Sequence, residues 1–175
     1  MEIAQTKVHI APLQVLFHIR KNHALEHATI HILTKSMPNV SFAGYSFIKG
    51  YWIYGNAELQ EIQKAVEIAH ARLKNGEASL AVHPNCGTNI AVTALCTASA
   101  SMLTNLMESE DDSKFTRFSG LLTGGMIGAL AARPLGPKVQ QHITTDANVK
   151  DISIVSITCS SVHGTPVFFV KTEME

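Results

Sequence analysis

The spacing of hydrophobic and polar residues predicts two helices in the first half of the chain. From about residue 12 to residue 35, apolar side chains recur on nearly every side of a 3.6-residue helix, which is typical of a buried helix. This helix is expected to end at "SMPNV", because helical geometry is disfavoured for the residue before Pro38. The segment "NAELQEIQKAVEIAHARLKNG" predicts an amphipathic helix that Asn56 caps and Asn75-Gly76 closes.

Three further segments predict β-strands. "VSFAGYSFIKGYWIYGN" is rich in aromatic and β-branched residues and contains several glycines, so it predicts a hairpin or two short strands. "ASLAVHP" predicts a short strand that leads into the turn "HPNCGTN". "DISIVSITCSSVHGTPVFFVKTEM" predicts a hairpin that turns at His163-Gly164. Together they predict a small mixed or antiparallel sheet on which a helix packs.

Two stretches without charged residues lie in the second half of the chain. No Asp, Glu, Lys or Arg occurs in the thirty residues from Ala78 to Met107, and "NIAVTALCTASASMLTNLM" within them is long enough to cross a bilayer. A second charge-free stretch covers residues 118–132. The sequence therefore predicts an apolar helical hairpin over residues 89–132. It is either buried in a soluble protein or embedded in a membrane.

Charges around this hairpin favour the membrane hypothesis. The loop "ESEDDSKFTR" carries four acids and two bases, whereas Arg133 and Lys138 follow the second stretch, as expected for cytoplasmic termini. Gly120, Gly124 and Gly128 form a stripe that lets helix backbones approach closely, which predicts a homo-oligomer through the hairpin. We therefore expect a membrane-associated protein with cytoplasmic termini. A cytoplasmic protein with a buried hairpin is the alternative.

Composition narrows the class of protein. Hydrophobic residues make up 46% of the 175 residues and charged residues 16%, so the chain can bury a sizeable core. We expect one α+β domain, residues 1–175, into which the hairpin is inserted. Fourteen basic and fourteen acidic residues give no net charge, which argues against a nucleic-acid partner. The three cysteines form no C-x-x-C pair, and no signal peptide is expected from the N-terminal pattern.

The segment "KNHALEHATIHIL" of the first helix contains an H-x-x-E-H motif, formed by His23, Glu26 and His27. At about 100° per residue, His27 lies about 40° and Glu26 about 60° from His23 around the helix, so the three share one face. Histidines at positions i and i+4 can hold one divalent metal ion, and the adjacent carboxylate can take a proton from a metal-bound water. His31 lies about 80° from His23, off the centre of this face, and His18 points roughly the other way.

The motif resembles the inverzincin signature of zinc peptidases related to insulin-degrading enzyme and pitrilysin. The resemblance implies that His23 and His27 bind Zn²⁺, or another divalent metal, and that Glu26 is the general base of a hydrolase. A distant glutamate completes the site in that family. No glutamate here occupies a matching position, since Glu108 and Glu110 lie in the charged loop.

A zinc site needs a third protein ligand, and catalysis needs an open fourth position. His83 in "HPNCGTN" is the first candidate, because this turn follows a predicted strand at the start of the apolar hairpin. The alternatives are Cys86 in the same turn and, in "QQHITTDA", His142 or Asp146.

Both motifs also have a structural interpretation. The H-x-x-E-H residues would then belong to a hydrogen-bond network in which Arg20 or Lys21 neutralises Glu26. The "HPNCGTN" segment would be a strand-to-helix connection, with Thr88 or Asn89 capping the next helix.

Over most of its length the chain also resembles an uncharacterised bacterial family of cyanobacteria and Chloroflexi, through "NHALEHATIHIL", "HPNCGTN" and "GPKVQQHITT". Taken together, the motifs predict a membrane-associated, zinc-dependent hydrolase that acts on a peptide or a small molecule. The alternatives are a non-catalytic membrane protein that binds a metal, haem or another tetrapyrrole, and a structural membrane subunit.

Overall fold

The computed structural model describes residues 12–109 and 112–175, so Glu110 lies outside the described part. The described residues form four α-helices and a four-stranded antiparallel sheet, which confirms the α+β prediction. The chain divides into two compact units. One consists of Met1–Leu80 and Asp146–Glu175, and the other of Ala81–Thr145.

The sheet of the first unit consists of two hairpins, both of which the sequence predicts. The second hairpin turns at His163 and Gly164, whose φ angles of 50° and 81° are the left-handed pair of a type I′ turn. Neighbouring strands pair in the order β1-β2-β4-β3, all antiparallel. The strands are β1 (Ala43–Phe47), β2 (Gly50–Tyr54), β3 (Ile152–Val162) and β4 (Thr165–Met174).

One face of this sheet forms the core of the first unit. Tyr51 pairs with Val170 and Ile53 with Phe168, so these four side chains point to the same face, and all four are fully buried. Helix α1 lies on this face, since the hydroxyl of Thr29 is 3.0 Å from that of Tyr51. The helices of the unit are α1 (Pro12–Ser36) and α2 (Leu59–Lys74), which pack against each other.

The middle of α1 is buried on all sides. Every residue from 21 to 30 is buried except His23, which is half-buried. Leu13 and Leu16, nearer the start of the helix, are exposed. The prediction of a helix buried all round is therefore confirmed for the stretch that carries the H-x-x-E-H motif and is wrong for the first turns.

Two local predictions are wrong. Helix α2 is capped by Glu58, not Asn56, because Glu58 and Glu61 form a capping box in which the backbone N–H of Glu58 donates to the Glu61 carboxylate at 2.8 Å. The segment "ASLAVHP" forms no strand. Ala78–Ala81 is a 3₁₀ helix, in keeping with the helical preference of alanine and leucine, and Val82 is the one β-branched residue of the segment.

The second unit is an antiparallel helical hairpin. It consists of α3 (Gly87–Met107) and α4 (Lys114–Val139), followed by a π-helical turn, Gln140–Thr144. The predicted range, residues 89–132, covers most of the hairpin. Helix α4 extends beyond it, because the helix continues through Pro134 and Pro137 although each proline lacks a backbone donor.

Small residues form the seam between α3 and α4. A Cβ atom at Gly124 would lie 2.7 Å from the carbonyl oxygen of Ala100, and one at Gly128 would lie 2.7 Å from the carbonyl carbon of Cys96. The glycine stripe therefore packs against α3 of the same chain. A homo-oligomer formed through the hairpin would have to use another face of the two helices.

Candidate metal centre

His23 and His27 lie one turn apart on α1. Their ring centroids are 4.3 Å apart at an interplanar angle of 62°, and one nitrogen of each ring lies within 4.8 Å of the other. His27 is 1% exposed. Because a Zn–N bond is about 2.0–2.1 Å long, two nitrogens on one ion lie at most about 4.2 Å apart. At most a small side-chain rotation therefore separates this pair from a chelating geometry.

Glu26, the acidic residue of the motif, lies against β1. Its carboxylate accepts a hydrogen bond from the hydroxyl of Ser46, and a Cβ atom at Gly44 would collide with the same carboxylate. Glu26 is 5% exposed. The missing side chain at Gly44 therefore provides the space for Glu26, and Ser46 supplies a donor that offsets the burial of its charge.

Lys21, which the structural hypothesis pairs with Glu26, binds a different carboxylate. Its Nζ lies 2.5 and 2.6 Å from the two carboxylate oxygens of Asp151. Desolvation raises the pKa of Asp151, but the hydrogen bonds from Lys21, a backbone hydrogen bond and the charges of Lys21 and His18 together hold that pKa below its usual value. The other candidate, Arg20, has its guanidinium carbon 5.9 Å from the centroid of the Phe17 ring. Neutralisation of Glu26 by Lys21 is therefore wrong.

His18 points to the sheet and away from the His23–His27 pair, as predicted. Its Nε2 lies 3.3 Å from the hydroxyl of Thr172, which donates to the side-chain oxygen of Asn22 at 2.7 Å. Burial lowers the pKa of His18. The side-chain amide of Asn22 donates to the carbonyl of Phe47 at 2.7 Å. This side of α1 is thus joined to the sheet by polar contacts.

In the second unit, the "HPNCGTN" segment forms the turn before α3. Cys86 is the N-cap, and its sulfur accepts a hydrogen bond from the backbone N–H of Thr88 at 3.4 Å, so the predicted caps Thr88 and Asn89 are wrong. The Nδ1 atom of His83 accepts a hydrogen bond from the backbone N–H of Asn85 at 3.2 Å. A metal bound by His83 would therefore use Nε2.

Two side-chain amides fasten this turn to the end of α4. The fully buried Gln140 accepts from the backbone N–H of His83 at 2.9 Å and donates to the carbonyl of His83 at 3.1 Å. It also donates to the side-chain oxygen of Asn89 at 2.7 Å, and Asn89 donates to the carbonyl of Pro84 at 2.7 Å. Both backbone polar groups of His83 are therefore held by one glutamine.

The remaining third-ligand candidates lie in different surroundings. His142 is exposed in the π-helical turn. Asp146 belongs to the first unit, where its backbone N–H donates to the carbonyl of Arg20 at 3.0 Å and its carboxylate accepts from the backbone N–H of Asn148 at 3.0 Å. Among the described residues of that unit, no further His, Cys, Asp or Glu joins the His23–His27 pair within 4.8 Å. The first unit thus contains two candidate ligands, and the third stays a prediction.

Two polar residues, Ser46 and Gln140, were not predicted from the sequence. Hydrophobic periodicity marks apolar faces and gives no signal for a buried amide or hydroxyl. Gln140 and Gln141 are neighbours in "QQHITT", yet Gln140 is fully buried and Gln141 is exposed. The sequence alone does not distinguish them.

Comparison with known proteins identifies the family. Residues 18–157, which include the H-x-x-E-H motif and the "HPNCGTN" turn, match the model of a domain of unknown function, DUF6391. An uncharacterised protein from Picosynechococcus sp. is 35% identical over 142 residues, which cover 76% of this chain and 68% of the relative. No solved structure matches the chain significantly. The prediction of an uncharacterised bacterial family is therefore confirmed, and the chain belongs to the DUF6391 family.

Proposed function

We propose that this protein binds a zinc ion, or another divalent transition metal, through His23 and His27. The observation that carries the proposal is the pair of imidazoles 4.3 Å apart on a single turn of a buried helix. Two neutral imidazoles at this spacing are a common part of zinc sites. The resemblance to the inverzincin signature points to the same two residues.

The surroundings of the pair support a binding site over a packing role. On the sheet side of α1, Asn22 and Thr29 bind groups of the sheet and Glu26 binds Ser46. By helical geometry His23 and His27 lie about 60° and 100° from Glu26 around the helix, and one nitrogen of each ring lies within 4.8 Å of the other. A metal ion between the two rings would leave the contacts between α1 and the sheet in place.

Their spacing also favours a single ion over haem. The two axial ligands of a haem iron bind from opposite faces of the porphyrin. Imidazoles 4.3 Å apart on one helical turn leave no room for a porphyrin between them. Haem held by one of the two histidines would reveal itself by an absorption band that zinc does not have.

The third ligand in the proposal is the one that the sequence predicts first, His83, bound through Nε2. Cys86, His142 and Asp146 are its competitors. Single substitutions of these four residues in the full chain identify the ligand, because loss of a true ligand weakens zinc binding more than loss of a neighbour does. His83→Gln is expected to have the largest effect.

Hydrolysis is the catalytic part of the proposal. Zinc held by three protein residues would supply a Lewis acid with one open position. Glu26 would be the general base that accepts a proton from water in the hydrolysis of an amide or ester bond of a peptide or small-molecule substrate. The hydrogen bond from Ser46 holds the Glu26 carboxylate in place, as a general base requires.

Metal analysis of the purified full chain tests the proposal. We expect near-stoichiometric zinc in the unaltered protein, and loss of zinc in His23→Gln and in His27→Gln. The matched control is His31→Gln, which removes a half-buried histidine of the same helix and should retain zinc. Protein without metal after growth with added zinc, or equal loss in the control, would contradict the proposal.

A second variant separates metal binding from catalysis. Glu26→Gln keeps the shape of the side chain but removes its basicity. If Glu26 is the base, this variant keeps its zinc and loses hydrolysis of any substrate that the unaltered protein cleaves. Retention of full activity would rule out the catalytic role and leave a zinc-binding protein.

A further inference from the structure

The helical hairpin carries its large apolar side chains on the outside. Leu95, Leu103 and Leu106 of α3 are each more than half exposed, as are Leu122, Ile127 and Leu130 of α4. No residue of α3 is buried. Monomeric soluble proteins rarely expose a continuous apolar surface of this size.

The seam between the two helices has the opposite character. It contains Gly124 and Gly128 of α4, and from α3 it contains backbone atoms of Cys96 and Ala100 and the side chain of Thr104. Elsewhere along the hairpin, the Ser101 hydroxyl of α3 donates to the carbonyl of Leu121 in α4 at 2.9 Å. The hairpin therefore has small and hydroxyl-bearing residues in its seam and leucine and isoleucine on its outer surface. This is the reverse of the pattern expected for a helix pair in water. Both features match helix pairs in lipid, where small residues allow close packing and hydroxyls bond across the seam.

We propose that α3 and α4 form a membrane-spanning hairpin whose outer surface contacts lipid acyl chains. Within the described residues, α3 is the one helix long and apolar enough, by length and composition, to cross a membrane. Its 21 residues rise by about 1.5 Å each, which gives about 31 Å and matches the roughly 30 Å hydrocarbon core of a bilayer. This inference does not depend on the metal centre.

Charges at the two ends of the hairpin complement the lipid headgroups. In α4 the charge-free stretch is bounded by Arg117 and Arg133, both exposed, whose long side chains can reach the headgroups on opposite sides of the bilayer. The segment of residues 108–117 at the tip contains four acids and two bases, whereas Arg133 and Lys138 lie at the base of the hairpin. The base is therefore on the cytoplasmic side and the tip on the far side.

A second copy of the chain fits the outer surface of the hairpin less well than lipid does. The glycine stripe, which would be the natural surface for close helix association, already packs against α3. The outer surface carries large, flexible side chains interspersed with exposed small residues such as Ala94 and Ala98, and it extends over both helices. Acyl chains adapt to such a surface, whereas a protein partner would need a complementary shape.

Membrane fractionation of the full chain with two matched variants tests the insertion. Leu95→Asp places a charge on the outer surface halfway along α3, and Met107→Asp places the same charge at the end of α3, where headgroups are expected. We expect the unaltered protein and Met107→Asp to stay with membranes after an alkaline carbonate wash. Leu95→Asp should lower the retained fraction by about tenfold or more.

Both positions are exposed, so in water neither charge disturbs the fold, and circular dichroism in detergent verifies this for each variant. Equal retention of the two variants, or an unaltered protein that is soluble without detergent, would overturn the proposal. Solubility without detergent would show that protein or water, and not lipid, covers the outer surface of the hairpin.

Labelling of cysteines in intact cells of the expression host tests the crossing. Ser109→Cys places a thiol at the exposed tip, and the native Cys159, exposed on the first unit, serves as the internal control. A membrane-impermeant maleimide should label the tip without permeabilisation and Cys159 only after it. Labelling of both thiols only after permeabilisation would overturn the crossing, because the hairpin would then enter and leave on the same side.

Discussion

The hydroxyl of Ser46 on β1 donates a hydrogen bond to the buried carboxylate of Glu26 on α1. The two residues are twenty positions apart, so the contact joins the H-x-x-E-H helix to an edge strand of the sheet. It gives the acidic residue of the motif a fixed orientation. If Glu26 is a general base, its fixed orientation reduces the entropy that is lost when the transition state forms. The same hydrogen bond contributes to the stability of the fold.

Ser46→Ala should destabilise the protein. It removes a donor to a buried carboxylate, and a loss of this kind costs about 1–3 kcal/mol. Urea unfolding of the full chain measures the effect. Ser36→Ala is the control, since Ser36 is an exposed residue at the end of α1 whose hydroxyl donates to a carbonyl of its own helix, and it should change stability by less than about 0.5 kcal/mol. Equal effects of the two variants would show that the Ser46 contact contributes nothing specific.

Gly44→Ala should be destabilising although alanine is a small residue. The new Cβ would collide with the Glu26 carboxylate, and because Glu26 is buried it has little room to move. We expect a cost of about 1–3 kcal/mol, as for overpacked cores, and a lower zinc content. Gly87→Ala is the control, because a Cβ atom there would have no atom within 4 Å apart from its chain neighbours and the backbone of its own helix. Thermal unfolding compares the two, and a Gly44→Ala protein as stable as the control would refute the close contact.

The elements of the fold were predictable where one local pattern decides the structure. The β3–β4 hairpin followed from β-branched residues on both sides of His163-Gly164, and the buried part of α1 followed from apolar residues all round the helix. The strand prediction failed for Ala78–Ala81, where alanine, serine and leucine next to the β-branched Val82 indicate neither a strand nor a helix strongly. The pattern failed also for the end of α4, because a helix in tight contact with a partner tolerates Pro134 and Pro137.

The candidate site was predictable only within one helix. The i, i+4 spacing of His23 and His27 determines their proximity whatever the rest of the chain does. Ser46 and Asp151 contact α1 only because the sheet places them beside it. No spacing pattern in the sequence predicts contacts between residues so far apart in the chain. The sequence therefore left Arg20 or Lys21 as a possible partner of Glu26, whereas in the fold Lys21 binds Asp151.

Gln140→Ala should loosen the "HPNCGTN" turn. The variant removes partners of both backbone groups of His83 and of the Asn89 side chain, so we expect a loss of about 1–3 kcal/mol in unfolding free energy. Gln141→Ala is a closely matched control, since the adjacent glutamine is exposed and should be nearly neutral. Denaturant unfolding measures both. If His83 binds zinc, Gln140→Ala also weakens zinc affinity, which a competing chelator detects.

Acid should weaken the first unit through His70. Burial lowers the pKa of His70 below 6.5, with Lys74 acting in the same direction. As pH falls through about 6.5, the unfolded chain takes up a proton that the folded protein does not, so stability decreases and levels off below the folded-state pKa. His18 shifts in the same direction, whereas the loss due to Asp151 begins only near and below pH 3.8.

His70→Gln should therefore flatten part of the decrease below pH 6.5. Unfolding curves recorded with a metal chelator exclude any contribution from zinc. His163→Asn, an exposed turn position where asparagine tolerates the positive φ, is the control and should keep the original profile. An unchanged profile in His70→Gln would assign the acid sensitivity to other groups.

Alanine substitutions at two glycines one turn apart in α4 should differ in their effect on stability. Alanine is favoured over glycine in a helix by about 1 kcal/mol at either position. A Cβ atom at Gly125 would lie 2.9 Å from the Ser101 hydroxyl, which can move only at the expense of its hydrogen bond to Leu121, so the two effects should offset each other and Gly125→Ala should be close to neutral. A Cβ atom at Gly128 would lie 2.7 Å from the carbonyl carbon of Cys96 and 2.9 Å from the Cα atom of Thr97, both backbone atoms that cannot move alone. Gly128→Ala should therefore push the helices apart and cost about 1–3 kcal/mol net.

Thermal unfolding in one detergent, followed by circular dichroism, gives the order of stability. A Gly128→Ala hairpin as stable as Gly125→Ala would mean that the seam is not closely packed at its centre, and the resemblance to a lipid-embedded helix pair would lose its structural basis.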